Sequence, residues 1–137
     1  MPREKMVFRA TVLEDEKEED KKMTQEQYYF AVTEAAEYSD LDAYLSDVAM
    51  STVWGNDPDV PIPQQQLDDL TAIFAAVHRT PREILDLTGL SQASFAQRYV
   101  IPRRTFQDWL LGNRTCPLYL RLLVQQSLGL LDVKVSG

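Results

Sequence analysis

Two adjacent arginines, Arg103 and Arg104, followed one turn later by Gln107 and Asp108, are the residues best suited to recognition chemistry in this chain. A guanidinium holds paired donors in a fixed plane, and that plane matches guanine O6 and N7 with two hydrogen bonds. Laid out on a helix, Arg103, Arg104, Gln107, Asp108 and Leu111 share one face, with the arginines in the first turn. A helix that reads a DNA groove presents its N-terminal residues to base edges. Catalytic chemistry is poorly provided for. The single histidine, His78, closes a helical segment with no Cys/His set around it, and Cys116 has no evident base partner. The five glycines form no phosphate-binding loop, and the acidic residues are dispersed rather than paired. No enzyme activity, cofactor or metal is expected.

Those arginines need a scaffold, and the flanking sequence describes one. Phe106, Trp109 and Leu110 form the apolar stripe on the other side of the same helix. Pro102 opens that helix and pushes Ile101 out of helical geometry, and Gly112 ends it. Upstream, Ser91 caps a short helix running to Tyr99, in which Phe95 and Tyr99 are four apart and Ala93 and Ala96 permit close crossing. Val100-Ile101 is the turn between the two. Before them, Thr80-Pro81-Arg82-Glu83 is a capping box with proline at the first helical position, and Gly89 stops that helix after two turns. After them, Cys116-Pro117 begins a last helix to about Leu131. Its leucines surround most of its surface, more than one buried face requires, so it is either sandwiched between two parts of the protein or a dimer seam.

The stretch Leu90 to Pro117 resembles the lambda-repressor-like (Cro-type) helix-turn-helix family. Ser91-Gln92, Phe95-Ala96, Thr105-Phe106, Trp109 and Gly112 stand where that family has Ser-Gln, a hydrophobic residue with Ala, Thr with a hydrophobic residue, an aromatic or Leu, and Gly. The likeness covers about Arg82 to Leu131 and leaves the first half of the chain unaccounted for. It implies an all-α, five-helix DNA-binding domain whose recognition helix turns Arg103, Arg104, Gln107 and Asp108 toward bases. By the same resemblance Gln92 holds a phosphate, and Asn113 and Arg114 approach the backbone beyond the recognition helix. Double-stranded DNA is the implied partner, and a homodimer would set two recognition helices one turn of DNA apart. Val100 departs from the pattern. The turn position usually carries Gly or another residue able to take positive φ, and a β-branched residue is disfavoured there. Either the turn differs from the family's or Val100 carries strain.

The net charge of −7 hides a division. Residues 1–79 hold 7 Lys/Arg against 17 Asp/Glu, whereas residues 80–137 hold 7 against 4, so an acidic half precedes a basic one. Residues 1–22 read as an acidic flexible leader: a short alternating stretch, Met6 to Leu13, suggests an edge strand, and the like-charge run Glu14 to Asp20 cannot bury apolar area. A sharper reading makes that run a tail that screens the basic half or docks on a basic partner.

Residues 23–63 read as an acidic helical region closed by a loop. Thr24 and Gln27 fit a capping box ahead of Tyr28, Val32, Ala35 and Ala36. Leu41, Tyr44, Leu45, Val48 and Thr52 mark a second helix ending near Trp54-Gly55. The proline-rich loop Asn56 to Pro63 is the best boundary. Residues 64–137 then form the helix-turn-helix domain, with Leu67, Leu70, Phe74 and Val77 expected to pack a helix from Gln64 to His78 onto the helix-turn-helix core. Trp54 and Trp109 read as packing residues.

No apolar run is long enough to span a membrane, no signal-peptide pattern is present, and the lone cysteine cannot form an internal disulfide, so a cytoplasmic location is expected. The functional expectation is a sequence-specific DNA-binding transcriptional regulator, with repression as its mode. The alternative is an antitoxin-like or anti-defence interaction protein whose acidic N-terminal half binds a basic protein partner.

Overall fold

A computed structural model describes residues 22–136. The strand expected from Met6 to Leu13 and the charge run after it lie outside the described residues. Among those described there are seven helices and no strand: α1 Gln25–Ala35, α2 Leu41–Ala49, α3 Gln64–His78, α4 Pro81–Thr88, α5 Gln92–Arg98, α6 Arg103–Leu111 and α7 Leu118–Ser127.

The helix starts follow local chemistry. At α1 the Thr24 hydroxyl accepts from the Gln27 N–H at 3.0 Å, while the Gln27 side chain accepts from the Thr24 N–H at 2.9 Å, closing the box. Asp40 caps α2 through the Ala43 N–H at 2.8 Å. One boundary needs correction. α2 stops at Ala49, and residues 50–54 form a separate turn in which Gly55 donates its N–H to the Ser51 carbonyl at 2.8 Å. Gly55 therefore closes that turn, at a φ of 67°, and not the helix itself.

Two apolar cores share the molecule. The first gathers Ala31, Val32 and Ala35 of α1, Tyr44, Val48 and Ala49 of α2, Trp54, and Leu70, Ile73, Ala76 and Val77 of α3. The second gathers Ile84 and Leu85 of α4, Phe95 and Ala96 of α5, Phe106 of α6 and Val124 of α7. The buried stripe of α3 thus packs on the acidic helices and not on the helix-turn-helix core, contrary to the sequence expectation. An apolar stripe marks a covered face without naming its cover, and the covered face here also includes Ile73 and Ala76, while Phe74 is only half-buried against the Tyr44 ring, 5.2 Å between centroids.

α7 lies between the cores. Leu122, with Leu118 and Leu131, faces the first, whereas Val124, Leu120 and Leu128 face the second. That placement accounts for its excess of leucines, leaving Tyr119 and Leu123 exposed one turn apart. The C-terminal tail then returns to the first core. Met23 donates its N–H to the Lys134 carbonyl at 3.2 Å and accepts from the Ser136 N–H at 2.9 Å, a single parallel bridge that ties the two ends of the described chain together.

Polar groups fasten the seam between α3 and α7. The last carbonyls of a helix have no partner within it. Here Arg121 Nη1 donates to the carbonyls of Val77 and Arg79, each at 2.8 Å, and Gln125 Nε2 donates to the Ala76 carbonyl at 2.9 Å. Gln125 Oε1 accepts from Arg79 Nη1 at 2.9 Å, so a fully buried glutamine has both ends of its amide engaged. His78 adds a tie on the other side, its Nε2 donating to the Ala35 carbonyl at 2.9 Å.

Replacing Gln125 by Leu keeps the volume and removes the partners of Ala76 and Arg79. A buried carbonyl left unpaired, together with a guanidinium deprived of its acceptor, costs about 2–4 kcal/mol. Urea denaturation of Gln125→Leu should show a midpoint lowered accordingly with an unchanged slope. A variant as stable as the parent would mean that the seam is held by apolar packing alone.

Candidate nucleic-acid interface

The second core positions α5 and α6. Thr80 and Glu83 close the capping box of α4, with bonds of 2.9 and 3.1 Å, and Gly89 ends that helix at a φ of 73°. Ser91 accepts from the Ser94 N–H at 3.1 Å and starts α5. The Phe95 and Phe106 rings then stack nearly parallel, 4.9 Å between centroids at 8°. Tyr99 lies 4.9 Å from Phe95, and Trp109 meets Phe106 edge-on at 6.4 Å. This aromatic file fixes the crossing of α5 and α6. The Tyr99 hydroxyl shares a hydrogen bond of 2.6 Å with Ser127 Oγ and so fastens the end of α5 to α7.

The turn between α5 and α6 is a Schellman motif. The Val100 N–H donates to the Gln97 carbonyl at 3.2 Å and the Ile101 N–H to the Ala96 carbonyl at 2.8 Å. The same pattern ends α7, where Gly129 occupies the left-handed position and Leu130 donates to Gln125 at 2.9 Å. In the α5–α6 turn that position holds Val100, at a φ of 55°, the only non-glycine residue with positive φ among the described residues. The turn therefore has the left-handed geometry that its family resemblance calls for, and the valine carries the strain. Its side chain is 87 % exposed and gains little packing in return.

Arg103, Arg104 and Gln107 project from the first two turns of α6 into solvent, while Phe106 between them is buried. Gln92 at the start of α5 is exposed too, and with Arg103 and Gln107 it lines one shallow depression floored by Ala96 and Phe106. Leu111 continues the same face and is 72 % exposed.

Asp108 sits differently. It is 25 % exposed, and its Oδ2 lies 3.7 Å from Arg114 Nε. Its main-chain carbonyl also accepts from the N–H groups of Asn113 and Arg114, at 2.9 and 3.3 Å. At 3.7 Å the Asp108 and Arg114 side chains form a loose ion pair without a direct hydrogen bond, and because their N–H groups are engaged, Asn113 and Arg114 present only their side chains to solvent. Sequence spacing gave no sign of this pair, because the two residues are six apart across a helix end. Of the basic residues counted on this half, Arg98 lies over the Tyr99 ring at 5.6 Å, and Arg121 is withdrawn into the α3–α7 seam. Arg79, Arg121 and Gln125 were not legible as a set in the sequence; only an arginine and a glutamine one turn apart in a leucine-rich helix hinted at it.

Cys116 is buried beside the second core, lining a small cavity with Phe95, Phe106 and Val124, and burial pushes its thiol up against the opposing pull of Arg121. Among the described residues no group of His, Cys, Asp and Glu could hold a metal ion, and no helix is long and apolar enough to cross a membrane. No protein-family model, curated protein or solved structure matches the chain.

Val100→Gly should stabilise the protein. Relief of the left-handed β-branched conformation is worth about 1–2 kcal/mol, offset by about 0.5–1 kcal/mol for the extra freedom of glycine in the unfolded chain. Thermal denaturation should therefore show a midpoint a few degrees higher; a lowered one would mean that the turn is not left-handed in solution.

Proposed function

We propose that the protein is a sequence-specific transcriptional regulator that inserts α6 into the major groove of double-stranded DNA. One observation carries the reading. Arg103, Arg104 and Gln107 stand exposed on the first turns of a helix whose far side is locked into an aromatic core, with Gln92 of the preceding helix beside them. Rigid placement of paired donors is what bidentate base recognition requires. The Ser91-Gln92, Phe95-Ala96, Thr105-Phe106, Trp109 and Gly112 pattern, with its resemblance to the lambda-repressor-like family, supports the same reading, as does the shared core of the four helices α4 to α7 within the stretch the resemblance covers.

Arg103, Arg104 and Gln107 face bases in this arrangement, and Asp108 joins them when its Arg114 partner turns to a phosphate. Gln92, Asn113 and Arg114 supply backbone contacts, which set affinity and register without reading sequence. Repression is the mode proposed, since occupying an operator requires no further surface. Tyr119 and Leu123, exposed one turn apart on α7, support a homodimer on a two-fold symmetric operator. The carboxylates of Glu26, Glu37, Asp42 and Asp47, exposed on and beside α1 and α2, favour a second role as a contact for a basic protein.

Selection of duplexes from a random pool by the full chain tests the proposal. A consensus site should emerge, and binding to it should weaken steeply with salt. Arg103→Ala should cost about 1–3 kcal/mol and relax preference at one base position. Arg114→Ala should weaken all sequences alike and reduce the salt slope by about one. Absence of any enriched sequence, or equal binding by wild type and Arg103→Ala, contradicts the assignment.

A further inference from the structure

Exposed positive charge is gathered on one side of the molecule's division. Arg82, Arg98, Arg103, Arg104 and Arg114 are exposed on α4 to α6 and the loop that follows. On and around α1 and α2 the exposed charges are instead the carboxylates of Glu26, Glu37, Asp40, Asp42 and Asp47. The one ion pair among the described residues joins Asp108 to Arg114, so Arg103 and Arg104 meet no carboxylate of those residues.

The chain carries an anion suited to that face. Glu14 to Asp20 holds six carboxylates and one lysine in seven residues. It joins the described body beside the acidic helices, which repel it, while the arginines of the other half attract it. Asp20 stands two residues before Lys22 and Glu14 eight. At about 3.5 Å per extended residue, the run can extend from roughly 7 to roughly 28 Å beyond Lys22. A folded body of this size has a radius of gyration of about 13 Å, so the tether is long enough to pass around it.

The contacts also bring the two ends of that path close. Gln126 Nε2 donates to the Tyr28 hydroxyl near the start of α1 at 3.1 Å. The next residue, Ser127, holds the Tyr99 hydroxyl at the end of α5 at 2.6 Å. The end of α7 therefore lies between the entry to α1 and the turn that leads into α6. Arg98 lies over the Tyr99 ring on this approach, and α6 begins at Arg103, four residues beyond Tyr99.

We propose that the acidic run Glu14 to Asp20 docks on the exposed face of α6 in its own molecule, with its carboxylates against Arg103 and Arg104, and competes with DNA for that face. The competition rests on the reading of α6 as a DNA-binding helix, whereas the docking itself does not. A tethered segment acts at an effective concentration in the millimolar range, so individually weak, exposed ion pairs suffice to occupy the face part of the time. Such a segment excludes polyanions that offer charge alone and yields to a duplex that adds base contacts.

Docking is tested first without DNA. Glu16→Cys carries a nitroxide in the ¹⁵N-labelled full chain, and mass measurement checks that Cys116, 6 % exposed, stays unlabelled. At low salt the amides of Gln92, Arg103, Arg104 and Gln107 should broaden, and those of Glu37 and Asp42 should not. The effect should fade in about 1 M salt, where charges are screened within about 3 Å. Broadening absent from α6, or equal on the acidic helices, overturns the docking. Broadening of ¹⁵N-labelled protein by separately nitroxide-labelled molecules also overturns it, since a second copy is then the occupant.

Competition is tested with the selected duplex and a full chain in which the six carboxylates of the run are replaced by Gln and Asn. This variant should bind roughly two- to tenfold more tightly at low salt, the gain reflecting the fraction of faces set free. Neutralising Glu37, Asp42 and Asp47 instead should give a smaller gain. Equal gains from the two variants, or none from the first, overturn the competition. If no duplex is selected, the DNA reading fails and the nitroxide result alone decides the docking.

Discussion

The molecule depends on a small polar knot at the end of α3. Arg121 and Gln125, one turn apart on α7, donate to the carbonyls of Ala76, Val77 and Arg79, and the Arg79 guanidinium returns a bond to Gln125. A helix end buried without such donors would strand its carbonyls away from water. Because the donors come from α7, closing the α3 helix and docking the two cores are the same event. The acidic half is thus integral to the structure: α3 completes one core, and its terminus anchors the helix that completes the other.

This joint also reshapes the electrostatic picture. Arg79 and Arg121 are consumed in the seam, which leaves Arg82, Arg103, Arg104, Arg114 and Lys134 exposed, with Arg98 beside Tyr99. Two adjacent arginines on one rigid helix would suit recognition better than general attraction, since the overall charge of −7 opposes indiscriminate binding to a polyanion. The Asp108 carboxylate beside Arg114 at the end of α6 further offsets the positive charge there.

Local signals in the sequence were read well, and long-range ones were not. Whereas the sequence left open whether the turn at Val100 is left-handed or different, both capping boxes, the Ser91 cap and the stop at Gly89 follow from chemistry within a few residues, and each was legible. The partner of α3 was not, because a stripe of apolar residues says that a helix is covered and not by what. The surplus of leucines in α7 left two readings open, and the contacts show a helix that contributes to two cores while Tyr119 and Leu123 stay exposed. Arg121 looked like part of a basic surface; nothing local distinguishes an arginine aimed at phosphate from one aimed at a buried carbonyl 44 residues away. The candidate base-reading face was legible as a helical face, whereas the covering of Asp108 depends on how the chain folds back after Gly112.

The central claim is that α6 with Gln92 forms the DNA-reading surface, and its most direct test is residue-resolved. Amide and side-chain resonances of the labelled full chain can be followed during titration with the duplex it selects. The account predicts that perturbations concentrate on Gln92, on residues 103–108 and on Asn113 and Arg114, with α1 and α2 unmoved. Perturbations confined to the acidic helices, or none on α6, would contradict it.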